Sequence, residues 1–303
     1  AEADDALVDR AVASAGAAFE RGEWSRASVE QRQAVLRACA DAIDAAADRI
    51  ADVECANTGI PYAQVRNGQV VRAAGNFRFF ADYIGQMTAE LYEQDPQYLT
   101  YVRREPVGVA ALISPWNSPL ALGSMKVASA IAFGNSCVLK PAEQDPLGLT
   151  MLIEAIQSGG LPAGVVNLVN GFGASVGDRL VRHPDVDCVS FTGGTRTGRI
   201  IMSAAGANLK PSVMELGGKS ANIIFDDADF EAALDGALIG IFSNNGQQCL
   251  AGSRVLVQRR IYKQFVEAFV ERTRKVRVGD PRDAATEIGP LATRQHYAHV
   301  MSF

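Results

Sequence analysis

Short apolar runs that alternate with helical segments fill the middle of this 303-residue chain. The runs are rich in Val, are bounded by Gly or Pro, and lie at Val107–Ile113, Cys137–Leu139, Val165–Val169 and Cys188–Phe191. Helical spacing of apolar residues occupies the intervals near 119–133, 146–158, 174–182 and 195–205. This alternation is typical of parallel strands that are buried on both faces and joined by right-handed crossovers. The sequence therefore predicts an α/β fold with a doubly wound parallel sheet, which binds nucleotides beyond the carboxyl ends of its strands.

The segments on either side of this alternation have patterns of their own. Apolar residues at helical spacing predict helices from Ala6 to Phe19, from Val29 to Val53, and in a third stretch that runs to about Ile84. Between 88 and 106, alternating residues around an Asp95-Pro96 turn predict a protruding β-hairpin.

A second α/β unit is expected after Gly217-Gly218, where the alternation restarts. Residues 221–225 and 254–257 are strand-like, and 229–242 and 261–276 are helical. The predicted domains are therefore 1–87 with 107–216 for the nucleotide-binding sheet, 88–106 for the hairpin, and 217–303 for the second unit.

Composition excludes several classes of partner. The formal net charge of −5, with the two signs well mixed, argues against a nucleic-acid surface. No window reaches the roughly 18 uncharged apolar residues of a membrane span. The five cysteines are odd in number and contain no C-x-x-C, which favours a reducing cytoplasm over a disulfide framework or a zinc ribbon. His296 and His299 have no neighbouring carboxylate or thiol to complete a metal set, so we expect surface residues and no metal.

Cys249, in Asn245-Gly246-Gln247-Gln248-Cys249, is the most informative candidate for chemistry. A cysteine behind a glycine and amides lies where the backbone can turn sharply and present the sulfur, although free cysteines are often only small buried apolar residues. Glu215 follows a strand-like segment and precedes two glycines, a position that opens onto the ligand crevice in α/β proteins. The two residues would make a nucleophile and a general base, unless Glu215 only stabilises a hinge.

Two further strand ends carry polar side chains. Asn117, in Ser114-Pro115-Trp116-Asn117, could donate its amide NH2 to an oxyanion, or could simply be a favoured turn residue. Lys140 and Glu143 follow the next strand and could hold a ribose diol, or could be an exposed ion pair of little energetic value.

Glycine turns complete the pattern. Gly171-Phe172-Gly173 and Phe191-Thr192-Gly193-Gly194-Thr195 each connect a strand to a helix, where glycine lets the backbone approach a pyrophosphate at the helix N-terminus. One such turn is weak support for a nucleotide site, but two in the same sheet strengthen it.

Taken together, these motifs resemble the NAD(P)-dependent aldehyde dehydrogenase superfamily over essentially the whole chain. The similarity rests on the Pro-Trp-Asn turn, Lys-Pro-Ala-Glu, Phe-Thr-Gly, Glu-Leu-Gly-Gly-Lys at 215–219 and Gly-Gln-Gln-Cys at 246–249. It implies that Cys249 is the nucleophile, Glu215 the general base and Asn117 the oxyanion donor. It also implies an NAD cleft, with NADP less preferred because Glu143 would face a 2′-phosphate. The implied cleft residues are Ile113, Ser114, Pro115, Trp116, Lys140, Glu143, Gly173, Phe191, Thr192, Gly193, Gly194, Leu216 and Gly217.

The resemblance further implies oxidation of an aldehyde to a carboxylic acid through a thiohemiacetal and a thioester. Residues 88–106 match the family's oligomerisation hairpin, so a homodimer or homotetramer is expected. Two departures stand out: Gly194 replaces a common serine, and family members continue well beyond Phe303, so we expect the natural protein to be longer. Three alternatives stay open at this point, namely a CoA-acylating enzyme, a plain thioester hydrolase and a non-catalytic protein of the same fold. Residues Asn167–Gly171 also resemble bacterial dehydrogenases that act on semialdehydes from aromatic-ring breakdown. Such a semialdehyde is therefore the expected substrate.

Overall fold

The computed structural model describes residues 2–303. Helices form the first part of the chain, and strands alternate with helices over most of the chain from residue 109 onward. The helices are α1 (Asp5–Arg21), α2 (Val29–Ala45), α3 (Ala47–Thr58), α4 (Tyr62–Gln64), α5 (Val71–Ile84), α6 (Pro119–Ala132), α7 (Pro146–Gln157), α8 (Asp178–Arg182), α9 (Thr195–Gly206), α10 (Phe230–Phe242), α11 (Tyr262–Thr273) and α12 (Arg294–Val300). The strands are β1 (Leu91–Asp95), β2 (Tyr98–Tyr101), β3 (Val109–Ile113), β4 (Ser136–Lys140), β5 (Val166–Leu168), β6 (Cys188–Gly193), β7 (Ser212–Leu216), β8 (Ala221–Ile224) and β9 (Arg254–Val257).

Five parallel strands form the central sheet, in the order β5-β4-β3-β6-β7. Every residue of β3 and β4 is buried, because helices cover both faces of the sheet. This confirms the predicted doubly wound parallel architecture. From β3, the chain adds β4 and β5 on one side of the sheet and then β6 and β7 on the other side. Sheets of this kind bind their ligands at the switch point where the strand order changes direction.

Two apolar clusters lie on opposite faces of this sheet. The larger joins α2, α3, α5, α6 and α7 to inward residues such as Leu112 and Leu139. The other joins α1, α8 and α9 to residues such as Val109 and Phe191. Alternate residues of one strand therefore enter different clusters, as the two-residue period of a strand requires.

The single helix expected over Val29–Val53 is wrong, because the structure divides it between α2 and α3. Ala46 has φ −98° and ψ 5° and donates its N–H to Ala42 and Ile43, so it leaves the helical conformation while keeping its hydrogen bonds. The new helix direction buries Ile50 and Cys55 against the core. Apolar spacing alone does not detect such a break, since buried positions continue on both sides of it.

Strands β1 and β2 pair antiparallel within the interval 88–106, and all their residues are exposed. Strands β8 and β9 form a separate parallel pair, which α10 and α11 cover with a small core around Leu234 and Phe265. Other apolar residues of this region are exposed, among them Ile223, Ile239 and Leu250. None of the helices described for residues 2–303 combines the length and the apolar character needed to cross a membrane.

Candidate active site

The carboxyl ends of four neighbouring strands bring the candidate residues to one edge of the central sheet. In the strand register, Ile113 lies beside Lys140 on one side and beside Phe191 on the other, and Thr192 lies beside Glu215. The turns that carry the candidate polar groups therefore start from the same edge.

Two buried hydroxyl groups at this edge lack a protein partner. The side chains of Ser114 and Thr192 are 3% and 8% exposed, and neither hydroxyl has a hydrogen-bond partner among residues 2–303. A buried polar group without a partner is costly, which suggests that a ligand supplies the missing bonds. The residues here thus suit a polar, extended ligand such as a dinucleotide.

The glycines of the edge leave open space for such a ligand. A Cβ atom at Gly173, Gly194 or Gly217 would meet no other atom within 4 Å. Gly194 is the N-cap of α9, a twelve-residue helix whose first N–H groups are free to bind an anion. Gly194 offers no side-chain donor, so anion binding here would depend on the backbone N–H groups.

The Lys140–Glu143 pair is not the exposed ion pair that the sequence left open. The Lys140 side chain is 2% exposed, its ammonium donates to the Pro141 carbonyl at 2.8 Å, and it lies 3.5 Å from the Glu143 carboxylate. Burial lowers the pKa of Lys140, while the charge of Glu143 opposes that change. The Glu143 carboxylate remains partly open to solvent at the sheet edge.

The other residues expected to line the NAD cleft differ in how far they are buried. Ile113, Pro115 and Phe191 are buried, and the Phe191 ring belongs to the apolar cluster on one face of the sheet and lies against Gly193. Gly193 is half-buried at the end of β6. Leu216 packs over Gly198, where a side chain would collide with the leucine methyl groups.

The loop before Cys249 makes the sharp turn that its composition predicts. Asn244, Asn245 and Gly246 have consecutive φ values of 56°, 57° and 74°, in the left-handed region that Asn and Gly adopt most readily. Cys249 is exposed, whereas Cys39, Cys55 and Cys137 are buried and Cys188 is half-buried. The possibility that Cys249 is only a buried apolar residue is therefore wrong.

Asn117 is tied directly to this loop. Its amide donates to the Gln247 carbonyl at 2.7 Å, and the Asn244 amide donates back to the Asn117 carbonyl at 2.6 Å. On the other side, the position of a Cβ at Gly218 would be 3.7 Å from the Cys249 carbonyl oxygen. Residues 244–249, the cysteine loop, thus hydrogen-bond to the turn after β3 and lie close to the segment that follows Glu215.

Lys126 is a buried charge at this site that the sequence did not indicate. Its ammonium donates to the Ser190 hydroxyl at 2.7 Å, from α6 to β6. Burial lowers the pKa of Lys126 to about 8, and the negative charge of Glu215 opposes that shift. An isolated lysine in a helical pattern gives no sign of such a position.

The two C-terminal histidines differ in their exposure to solvent. His299 is exposed, as expected, but His296 is half-buried with its ring centre 4.8 Å from that of Trp116. Describing both as surface residues is therefore only partly correct. Within the described range 2–303, no three His, Cys, Asp or Glu side chains are grouped as a metal site would require.

The family of this chain follows from its similarity to known proteins. The model of the aldehyde dehydrogenase family matches residues 1–303. The chain belongs to the aldehyde dehydrogenase family. A 5-carboxymethyl-2-hydroxymuconate semialdehyde dehydrogenase of Escherichia coli is 47% identical over 303 residues, which are all of this chain and 64% of that protein. A 2-hydroxymuconic semialdehyde dehydrogenase of Pseudomonas sp. (strain CF600) is 41% identical over 307 residues, with 63% of its length covered.

A solved structure of an aldehyde dehydrogenase from Bacillus cereus, in complex with NAD+, superposes with a TM-score of 0.97 at 40% identity. The match covers 99% of this chain and 61% of that one. The chain thus spans slightly less than two thirds of the length of these aldehyde dehydrogenases, and its fold over that length is theirs.

Proposed function

We propose that this protein oxidises an aldehyde to the carboxylic acid, with NAD as hydride acceptor and Cys249 as nucleophile. The observation that carries the proposal is the position of the cysteine loop between two strand-end segments. Asn117 hydrogen-bonds to it on one side, and Gly218, three residues after Glu215, lies close to it on the other. Family membership supports the reaction class, and the exposure of Cys249 supports its role.

In the proposed first step, the Cys249 thiolate attacks the aldehyde carbonyl and forms a thiohemiacetal. Asn117 donates one amide hydrogen to the Gln247 carbonyl. Its second amide hydrogen is available to donate to the aldehyde oxygen, which becomes negatively charged in the thiohemiacetal step. Because that first bond fixes the amide, the second hydrogen is preorganised, which is what an oxyanion donor needs.

The cleft residues support NAD as the cofactor. Ser114 and Thr192 offer unpaired hydroxyl groups, the helix behind Gly194 offers backbone N–H groups, and Lys140 with Glu143 offers a donor and an acceptor for the adenosine ribose. When bound, NAD supplies the acceptor for the hydride that leaves the thiohemiacetal carbon. The Glu143 carboxylate would repel a 2′-phosphate, which favours NAD over NADP.

Glu215 is the proposed base for the second step. It is exposed at the end of β7, where its carboxylate can take a proton from the water that attacks the Cys249 thioester. A CoA-acylating enzyme would pass the acyl group to a thiol instead and would have no need of this base.

The proposed substrate class is a semialdehyde that carries a carboxylate. Relatives whose names specify such substrates include the two muconic semialdehyde dehydrogenases and a 2-aminomuconic 6-semialdehyde dehydrogenase of Pseudomonas sp. that is 41% identical.

The proposed organisation follows the same resemblance. Residues 1–87 and 107–216 would form the NAD-binding domain and 217–303 belong to the catalytic domain. The exposed hairpin, with Tyr98, Leu99 and Tyr101 more than half exposed, would contribute to a homodimer or homotetramer. A cytoplasmic location stays a prediction, supported by five free thiols.

Absorbance of NADH tests the proposal. The wild type should reduce NAD when given a panel of aliphatic, aromatic and carboxylated aldehydes, without added CoA and with a free acid as product. Cys249→Ala should lose this activity while it keeps NAD binding, and Cys188→Ala, which removes a half-buried thiol, is the matched control. A fully active Cys249→Ala, or turnover that requires CoA, would contradict the proposal.

A further inference from the structure

Asn245 is an unusual residue in the cysteine loop, because it is buried while its backbone is left-handed. Its side chain is 6% exposed, and its φ and ψ are 57° and 28°. Asn adopts this region more readily than other non-glycine residues, so the unusual feature is the burial of a polar side chain at such a turn. The sequence indicates the turn here but gives no role to this side chain.

The Asn245 amide is fully used by three backbone groups. Its NH2 group donates to the Gly59 carbonyl and to the Pro290 carbonyl, each at 3.0 Å, and its oxygen accepts from the Gly289 N–H at 2.9 Å. The partners lie in two segments, at Gly59, 186 residues away, and at Gly289–Pro290, 44 and 45 residues away, so the side chain joins its own loop to both.

Backbone packing at this junction is tight. Gly59 ends α3 with φ +75°, and a Cβ there would be 2.7 Å from the Pro290 carbonyl oxygen. A Cβ at Gly289 would collide with the Gly59 carbonyl. Glycine at both positions therefore lets these backbone segments approach each other and the Asn245 amide closely.

We propose that Asn245 is a positioning residue, whose amide fixes the loop that presents Cys249. Asn245 lies four positions before Cys249, and the carbonyl of the intervening Gln247 accepts from Asn117, so displacement of the loop moves the nucleophile and the oxyanion donor relative to each other. The inference rests on the proposed function for the role of Cys249, but the clamp itself rests on the hydrogen bonds of Asn245.

Two variants and one control test the clamp. Asn245→Ala removes all three bonds. Asn245→Asp keeps the shape and the acceptor for Gly289 but sets a carboxylate against two carbonyl oxygens. Asn167→Ala is the matched control, since Asn167 also donates to two backbone carbonyls, those of Gly164 and Cys137, but lies on the edge strand β5.

The readouts are kcat and KM for the aldehyde, the Kd for NAD, and the rate of iodoacetamide alkylation at Cys249 as a function of pH. We expect Asn245→Ala to lower kcat/KM by about 100-fold, the effect of a misplacement of roughly 1 Å. It should change the alkylation rate and leave the Kd for NAD within about two-fold of the wild type. Asn167→Ala should lower Tm without changing these rates.

The pH dependence of Asn245→Asp separates positioning from general destabilisation. A carboxyl group among carbonyl oxygens retains its proton more strongly, and that proton restores one donated hydrogen bond. The ratio of its kcat/KM to that of the wild type should therefore rise as pH falls, while the ratio for Asn245→Ala stays flat.

Wild-type values of kcat/KM and alkylation in Asn245→Ala, or flat ratios in both variants, would overturn the clamp. If the proposed function is wrong, the result is different, because the wild type itself would not oxidise aldehydes. The alkylation rates of Cys249 would then still decide whether Asn245 fixes the loop.

Discussion

Two buried carboxyl groups, those of Glu54 and Asp145, should make the stability of this protein fall as pH rises. Glu54 on α3 and Asp145 before α7 are both 0% exposed, and none of their carboxyl oxygens has a hydrogen-bond partner among residues 2–303. Burial raises the pKa of Glu54 to about 8. Burial, with the charges of Glu54 and Glu143, raises the pKa of Asp145 to about 10.

The size of the effect follows from proton linkage. A raised folded-state pKa means that the folded protein holds a proton that the unfolded chain releases, so the stability is full below the unfolded pKa and is lost as pH rises through the folded pKa. For Glu54 the range runs from 4.5 to about 8. At about 1.4 kcal/mol for each pKa unit, this interval of about 3.5 units corresponds to about 5 kcal/mol of lost stability at pH 8 and above.

Urea unfolding of Glu54→Gln at several pH values measures this loss. The amide cannot ionise, so the free energy of unfolding should equal that of the wild type near pH 4.5 and exceed it by up to about 5 kcal/mol near pH 8. Glu154→Gln, at an exposed position on α7, is the control and should follow the wild type. Parallel curves for wild type and Glu54→Gln would refute the reasoning, because the carboxyl group would then titrate alike in the folded and unfolded states.

Three further perturbations follow from the geometry. Asn117→Ala removes the donor to the Gln247 carbonyl and should lower kcat by roughly 10²–10³-fold in single-turnover oxidation; a wild-type rate would exclude Asn117 as oxyanion donor. Glu143→Ala should narrow the difference between the Kd values of NAD and NADP, measured by titration, whereas an unaltered ratio would place the discrimination elsewhere. Gly148→Ala should lower the free energy of unfolding by about 1–3 kcal/mol, because the Glu54 carboxyl occupies the space that the new methyl group needs; an unchanged urea midpoint would contradict that packing.

The sheet could be predicted from the sequence because its strands are buried on both faces. Runs such as Cys137–Leu139 have no polar face, and each is followed by a helix, which leaves a parallel arrangement as the simplest solution. The strand ends at Ile113, Lys140 and Glu215 followed from the same pattern, since parallel strands end at a common edge.

Side-chain contacts between distant segments could not be predicted in this way. The break at Ala46 depends on how α3 packs, and the buried ammonium of Lys126 depends on Ser190, 64 residues further along the chain. Asn245 is recognisable as a turn residue, but its bonds to Gly59 and Pro290 join segments whose proximity has no local signature. Local sequence patterns indicate backbone conformation and burial. They do not indicate which distant groups form hydrogen bonds with a polar side chain.

Mass spectrometry of Glu215→Gln tests the central claim most directly. Mixed with NAD and an aldehyde substrate, this variant should release about one equivalent of NADH per site and then stop, because the base for thioester hydrolysis is missing. The account predicts an intact protein heavier by one acyl group, with the adduct mapped to the Cys249 peptide and absent from Glu215→Gln/Cys249→Ala. Steady turnover with Cys249 unmodified, or an adduct on another residue, would contradict it.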